Sequence, residues 1–217
     1  MFLVMKMKKI VVMSDSHGYH QMINRVKELE PDGDYYVHCG DSEAETYMMQ
    51  DWLCVKGNND WYSDFPNQIK FKVEDLNFLV THGHRFGYMD RETSMIYTLQ
   101  EANCDVLLSG HTHVPMYKEV DGCTLINPGS TTLPRGGSNR SYCVIYVEGK
   151  DLKVEFKNLD DFKKEIDYAK RLLDYCRMNG LIICGDYICE VLSELSIFDH
   201  HERSMFLRLQ VPVSFKK

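Results

Sequence analysis

The chain has 217 residues, 44% hydrophobic and 26% charged, with 32 acidic against 25 basic side chains for a net charge of −7. This composition excludes wholesale disorder, and the acidic surplus disfavours a nucleic-acid partner, which calls for a basic face. No apolar run approaches the roughly 18 residues needed to cross a bilayer, and Lys6, Lys8 and Lys9 follow the short apolar N-terminus instead of preceding it, the reverse of a signal peptide, so a cytoplasmic protein with no membrane partner is expected.

In chain order, residues 9–13 are β-rich and end at Ser14-Asp15. Met22, Ile23, Val26 and Leu29 recur at helical spacing over residues 21–30, and Pro31 and Gly33 end that helix. Strands follow over 34–39 and 52–56, with a short helix expected over 43–50 between them. This alternation predicts parallel β-α-β units. The pattern then turns antiparallel. Strands over 68–73 and 77–81 form a hairpin, a helix spans 91–102, and a buried strand spans 106–109. Strands 116–120 and 124–127 flank Asp121-Gly122, a hairpin-turn dipeptide, and strands 141–147 and 152–158 flank Gly149-Lys150. The whole predicts an α/β chain (α+β in some schemes) of two mixed sheets packed face to face, helices outside.

Residues 1–158 read as the core domain and 159–217 as a helix-helix-strand extension, packed on the core or at the interface of a homo-oligomer. In it, Phe162, Ile166, Ala169, Leu173 and Cys176 share one helical face closed by Gly180. A second helix is expected over 187–195, and alternation from Met205 to Phe215 predicts one strand, at an edge because of Pro212. The eight cysteines form no CxxC pair and read as reduced core thiols.

The chemistry sits at the strand ends. They carry Asp15-Ser-His17-Gly18, Gly40-Asp41, Gly57-Asn58-Asn59-Asp60, His82-Gly83-His84 and Gly110-His111-Thr112-His113. Ligands of open α/β sheets bind at the carboxyl ends of strands, and glycine allows the sharp turn and close approach. If these strands are neighbours, carboxylates, an Asn and several imidazoles share one cleft. Crowded carboxylates repel and dry imidazoles need partners, and divalent cations resolve both problems. So many ligands suit two ions sharing a carboxylate, with Asp41, on the central strand, as the expected bridge. Oxygen and imidazole donors without thiolate suit Mn, Fe, Co, Ni or Zn better than Ca. His20 and His38 read as structural, and His200-His201 as a surface pair.

These five motifs, in this order over about residues 8 to 158, resemble the calcineurin-like metallophosphoesterase superfamily. The short spacing and Asn127-Pro128-Gly129-Ser130 are similar to its small bacterial and archaeal phosphodiesterase branch, of the YfcE and YsnB type. The resemblance implies a four-layer α-β-β-α sandwich with a C-terminal extension, and hydrolysis of a small phosphoester by a metal-bridging water or hydroxide. It implies that Asp15, His17, Asp41 and His113 hold one metal and Asp41, Asn58, His82 and His111 the other, with manganese favoured over nickel, zinc, iron, cobalt or magnesium. Asp60 would orient a neighbouring group. Asn59 departs from the family, where His is common, and an amide cannot donate a proton near neutral pH. Either His84 supplies it or the leaving group is good, which favours a phosphodiester. Asn59, His84, Arg85 and Arg135 are the expected substrate contacts, with Arg140, Thr131 and Thr132 candidates by position. The alternatives are a non-catalytic binding scaffold, as in the retromer subunit of this fold, a phosphomonoesterase or a nuclease.

Overall fold

Ile10 to Met13 are fully buried, so the strand they form, β1 (Lys8–Met13), must be covered on both faces. In the computed structural model, which describes residues 7–87, 89–159, 172–179, 181–183, 188–194, 205–210 and 213–215, β1 is the middle strand of a five-stranded sheet. It pairs in parallel with β2 (Tyr35–His38), which pairs in parallel with β3 (Leu53–Cys54). On its other side it pairs antiparallel with β9 (Ser141–Glu148), which β10 (Asp151–Asn158) flanks in a hairpin. A second five-stranded sheet runs in the order β4 (Gln68–Val73), β5 (Leu76–Thr81), β6 (Val106–Leu108), β8 (Cys123–Asn127), β7 (Met116–Val120). Its three middle strands, β5, β6 and β8, are parallel.

The period of two along each strand sorts the layers. Ile10, Val12, Val37 and Ile145 of the first sheet pack against Phe78, Val80, Val106, Leu108 and Ile126 of the second. The alternate residues Val11, Met13 and Val144 face Ile23 and Val26 of helix α1 (His20–Leu29). Leu79, Leu107 and Leu125 face Met95 and Leu99 of helix α2 (Arg91–Glu101). The order is therefore helix, sheet, sheet, helix: the expected sandwich. Phe78 is 0% exposed and stacks on Phe71 at 5.1 Å between ring centroids; trimming it to alanine would cost about 3–5 kcal/mol.

Between β2 and β3 only Thr46–Met49 is helical, as a single 3-10 turn. Asp41 and Glu43 have φ of 53° and 49°, left-handed conformations that forbid a helix starting at 43. The described cysteines 39, 54, 104, 123, 143 and 176 are free thiols, and all but Cys104 are buried. None of the described helices is long and apolar enough to cross a membrane.

The chain divides into two compact units, Met1–Asp160 and Asp161–Lys217. In the second, residues 172–178 are helical. The helix expected over 187–195 is instead a strand, β12 (Ile188–Glu194), paired antiparallel with β13 (Met205–Gln210) and bulged between Val191 and Ser193. Ile188, Val191, Leu192 and Leu195 mimic helical spacing, but the ladder with the next strand of the chain decides, and the spacing within residues 187–195 carries no trace of that pairing. The single strand expected over 205–215 is two: β14 (Val213–Phe215) pairs with β11 (Leu181–Ile183) in a separate ribbon. Phe162, Ile166, Ala169, Gly180, His200, His201 and Pro212 lie outside the described residues.

Candidate metal centre

The five motif loops leave the carboxyl ends of β1, β2, β3, β5 and β6. They turn sharply there. Asp15, His17, Asp41, His111 and His113 all have positive φ, between 45° and 70°. Each such non-glycine residue stores roughly 1–3 kcal/mol of strain, which persists only if its surroundings impose it. They do. Asp60 accepts from the backbone N–H of Asp41 (2.7 Å), Glu43 (2.6 Å) and Gly57 (2.7 Å) and from the Ser42 hydroxyl (3.2 Å). Ser130 and Thr132 hydroxyls both donate to the Asp15 carbonyl, at 2.8 and 3.0 Å. The Asn127 amide donates to the Gly110 carbonyl (2.8 Å) and to Thr112 Oγ1 (3.0 Å), bracketing His111. Two glycines permit the close approach: a Cβ at Gly57 would fall 2.0 Å from Asp41 Oδ1, and one at Gly110 2.0 Å from Ser14 Oγ and 2.7 Å from Asp15 Oδ2.

What converges is a set of acceptors. His17 Nδ1 donates to Glu43 Oε1 (2.9 Å) and His113 Nδ1 to the Leu133 carbonyl (2.6 Å). Those oxygens can only accept, so each neutral ring carries its proton on Nδ1 and presents a lone pair at Nε2. Yet the two Nε2 atoms face each other at 3.3 Å, and His113 Nε2 lies 3.3 Å from Asp15 Oδ1. The same holds across the cleft. His82 Nδ1 donates to the Cys39 carbonyl (2.8 Å), and its Nε2 faces Asn58 Oδ1 (3.1 Å), Asp41 Oδ2 (3.3 Å) and Asp15 Oδ1 (4.0 Å). His111 Nδ1 lies 3.0 Å from the same Asn58 oxygen. Asp15 Oδ1 is buried and accepts no hydrogen bond. Leaving such a charge unpaired costs several kcal/mol.

The electrostatics lean the same way. Burial works against the Asp15 carboxylate, but the neighbouring His113 and His82 imidazoles hold its pKa below the usual range. Burial likewise opposes Asp41, which His82 and the Asn59 donors hold well below that range. Burial would lower His82, and Asp41 and Asp15 raise it instead. His111 is pushed down to about 4 by burial, then by His82 and Arg91. The cleft attracts positive charge at its centre. Two triads, Asp15–His17–His113 and Asp15–Asp41–His82, bring their ligand atoms within 4.8 Å of one another. Carboxylate, amide and imidazole donors in this number fit divalent transition-metal ions.

All seven expected metal ligands thus meet at one place. Asp15 belongs to both triads, and the two Asp41 oxygens accept from Asn59, whose N–H reaches Oδ1 (2.8 Å) and whose amide reaches Oδ2 (2.7 Å). Asn59 therefore faces Asp41 and fixes it. His84 stands beside the centre, its ring 5.5 Å from that of His82 and 6.3 Å from that of His111. Burial, His82 and Arg85 lower its pKa. Arg85 and Arg135 are exposed; the Arg135 backbone N–H donates to the His113 carbonyl at 3.2 Å, which keeps its loop beside the first triad. Thr131 is buried, and Thr132 braces Asp15. His38 is fully buried, as expected of a structural residue.

Sequence reading misses the braces. Glu43, Asn127 and Ser130 act on residues 26, 17 and 115 positions away, and Arg91 supports the His82 loop through the Gly83 carbonyl (2.9 Å). Of these, only Asn127 and Ser130 carry a sequence signal, the Asn-Pro-Gly-Ser turn.

Residues 7–150 match the model of the calcineurin-like phosphoesterase superfamily domain. The chain is 34% identical over 150 residues to the probable metallophosphoesterase YsnB of Bacillus subtilis, covering 68% of this chain and 89% of that protein. It is 28% identical over 165 residues to phosphodiesterase YfcE of Escherichia coli, covering 63% and 86%. Among solved structures, a predicted phosphoesterase from Streptococcus pneumoniae matches with a TM-score of 0.66 at 30% identity, over 71% of this chain and 91% of that one.

Proposed function

This chain belongs to the calcineurin-like phosphoesterase superfamily, and on that premise we propose that it is a phosphodiesterase working with two divalent metal ions, manganese foremost. One observation carries the reading: Asp15 Oδ1 is buried without a hydrogen-bond partner, between the Nε2 atoms of His113 and His82. Asp15, His17 and His113 would hold one ion and Asn58, His82 and His111 the other, with Asp15 and Asp41 between them. Divalent ions bound there would neutralise phosphate oxygens and acidify a water molecule. The protein's own part is positional. Glu43 and the Leu133 carbonyl fix the tautomers of His17 and His113, and the Cys39 carbonyl fixes that of His82. Asp60 and Asn59 hold Asp41.

A diester is the proposed substrate because the site offers a leaving group little acid. The Asn59 amide is turned to Asp41 and cannot supply a proton at neutral pH. His84, lowered by burial and by its neighbours, is neutral there and offers one N–H. The test compares bis-nitrophenyl phosphate with nitrophenyl phosphate on chelator-stripped protein reloaded with Mn2+. Faster diester hydrolysis, abolished in Asp41→Asn, supports the proposal. A clear monoester preference, or turnover indifferent to chelation, overturns it. Metal binding with no turnover on any phosphoester would return the scaffold reading, which the convergence of all seven ligand positions makes the weaker one.

A further inference from the structure

Trp61 and Tyr62 are 77% and 99% exposed. Rings of this size normally find cover, and these two stand on chain that is tightly held. Their neighbour Asp60 is clamped by four donors. The Trp61 N–H donates to the Asn59 carbonyl (2.9 Å) and the Ser63 N–H to that of Asp60 (3.3 Å). The Ser63 hydroxyl also donates to the Asp60 carbonyl (3.1 Å), and Lys56 Nζ donates to that of Ser63 (2.9 Å). The turn that carries the rings is therefore fixed, so the chain beneath them needs no ordering when something flat binds.

Their place matters as much as their exposure. Asn58 Oδ1 touches His82 and His111, and Asn59 touches Asp41. At 3.8 Å between successive Cα atoms, Trp61 Cα lies within about 8 Å of that of Asn59. Trp61 therefore stands on the same short loop as Asn58 and Asn59, within one side chain's length of the residues that line the centre.

We propose that Trp61 and Tyr62 form a stacking subsite beside the metal centre, selecting phosphodiesters that carry a planar aromatic substituent of the nucleobase kind. This rests on the phosphodiesterase reading above and names the substrate class for it. Base–aromatic stacking tolerates any base, since each has a π-face, so the subsite selects for flatness and not for one nucleotide.

Two nitrophenyl esters with the same leaving group test it: that of a nucleoside 5′-monophosphate and that of methyl phosphate. In Trp61→Ala the ratio of the two KM values, nucleoside over methyl, is expected to rise about tenfold, with recovery in Trp61→Phe. An unchanged ratio overturns the proposal. A second readout needs no turnover. The chain's two tryptophans are Trp52, buried in the core at 7% exposure, and Trp61. In metal-loaded protein a nucleoside monophosphate should quench fluorescence more than ribose 5-phosphate does, and Trp61→Phe should remove the difference. Equal quenching overturns the subsite even where both esters turn over. Failure of both esters with selective quenching intact overturns the phosphodiesterase reading and leaves the aromatic subsite standing. If Trp61→Ala converts an oligomer to monomer in light scattering, the rings cover a second copy of the chain and the proposal falls.

Discussion

The two halves of the candidate metal centre are built to different standards. In the first, both histidines are locked from behind, His17 by Glu43 and His113 by the Leu133 carbonyl, and Asp15 is fully buried. In the second, His82 is locked by the Cys39 carbonyl and fully buried, but Asn58 is exposed and His111 is half-buried. A ligand fixed before binding loses little entropy on capture, whereas a looser one must be ordered. The first half should hold its ion tightly and the second exchange it. Asp15 belongs to both triads, so it couples the halves.

The largest expected effect follows from that coupling. Asp15→Asn removes the carboxylate common to both triads. Turnover should fall on the order of a thousandfold, the scale of several kcal/mol of lost electrostatic stabilisation. Elemental analysis should show loss at both positions. Loss of one ion alone would break the comparison, because Asp15 would then serve a single half.

Glu43→Gln sharpens it. The amide retains shape and removes the carboxylate behind His17. Loss of such a partner typically weakens metal affinity 10- to 100-fold. Calorimetric titration with Mn2+ should show that loss in the tighter of two binding events only. Equal weakening of both events would mean that the halves are not independently built.

Asn127→Ala acts on the loop of the second half. It leaves the buried Gly110 carbonyl without its donor, which should cost about 1–3 kcal/mol. Thermal melting of chelator-treated protein measures it. A change below about 0.5 kcal/mol would show that the His111 loop holds its left-handed turn without this brace.

The two halves also differ in how far they could be read from sequence. The candidate ligand positions were legible in both because Asp, Asn or His beside glycine recurs at five strand ends, and the strands that lead there include short apolar runs such as residues 9–13 and 106–109. The locks were not. Glu43 looks like any surface acid two residues past Asp41, and the Leu133 carbonyl has no side-chain signature at all. Whether a carboxylate or a carbonyl lies behind an imidazole depends on contacts across the fold, which local spacing does not encode. The same blindness hides the strand character of β12 behind an apolar spacing that also suits a helix.

The smallest effect concerns the floor of the first half. His38 is fully buried beneath it; its Nδ1 accepts from the Gly40 N–H (3.2 Å), so its Nε2 proton points to Ser16 Oγ (3.1 Å), between Asp15 and His17. Burial pushes its pKa down to about 4. Between pH 6.5 and 4 the unfolded chain binds a proton at this residue that the folded protein refuses. Stability should therefore fall as pH drops through that window, by roughly 1 kcal/mol per pH unit. Asp15 and Asp41 are lowered, so their share is present above the unfolded carboxylate pKa of about 3.9 and is lost only below it. His82 is raised, so its share of stability is present below the unfolded imidazole pKa of about 6.5 and is lost only above it. His111 and His84 are also lowered and add to the slope, so the difference between wild type and His38→Gln isolates one share of it. Chemical denaturation of metal-free protein at pH 4.5, 5.5 and 6.5 should give a flatter dependence for His38→Gln. Parallel curves would mean that His38 takes its proton in the folded state, and that the first half rests on a softer base than its locked ligands imply.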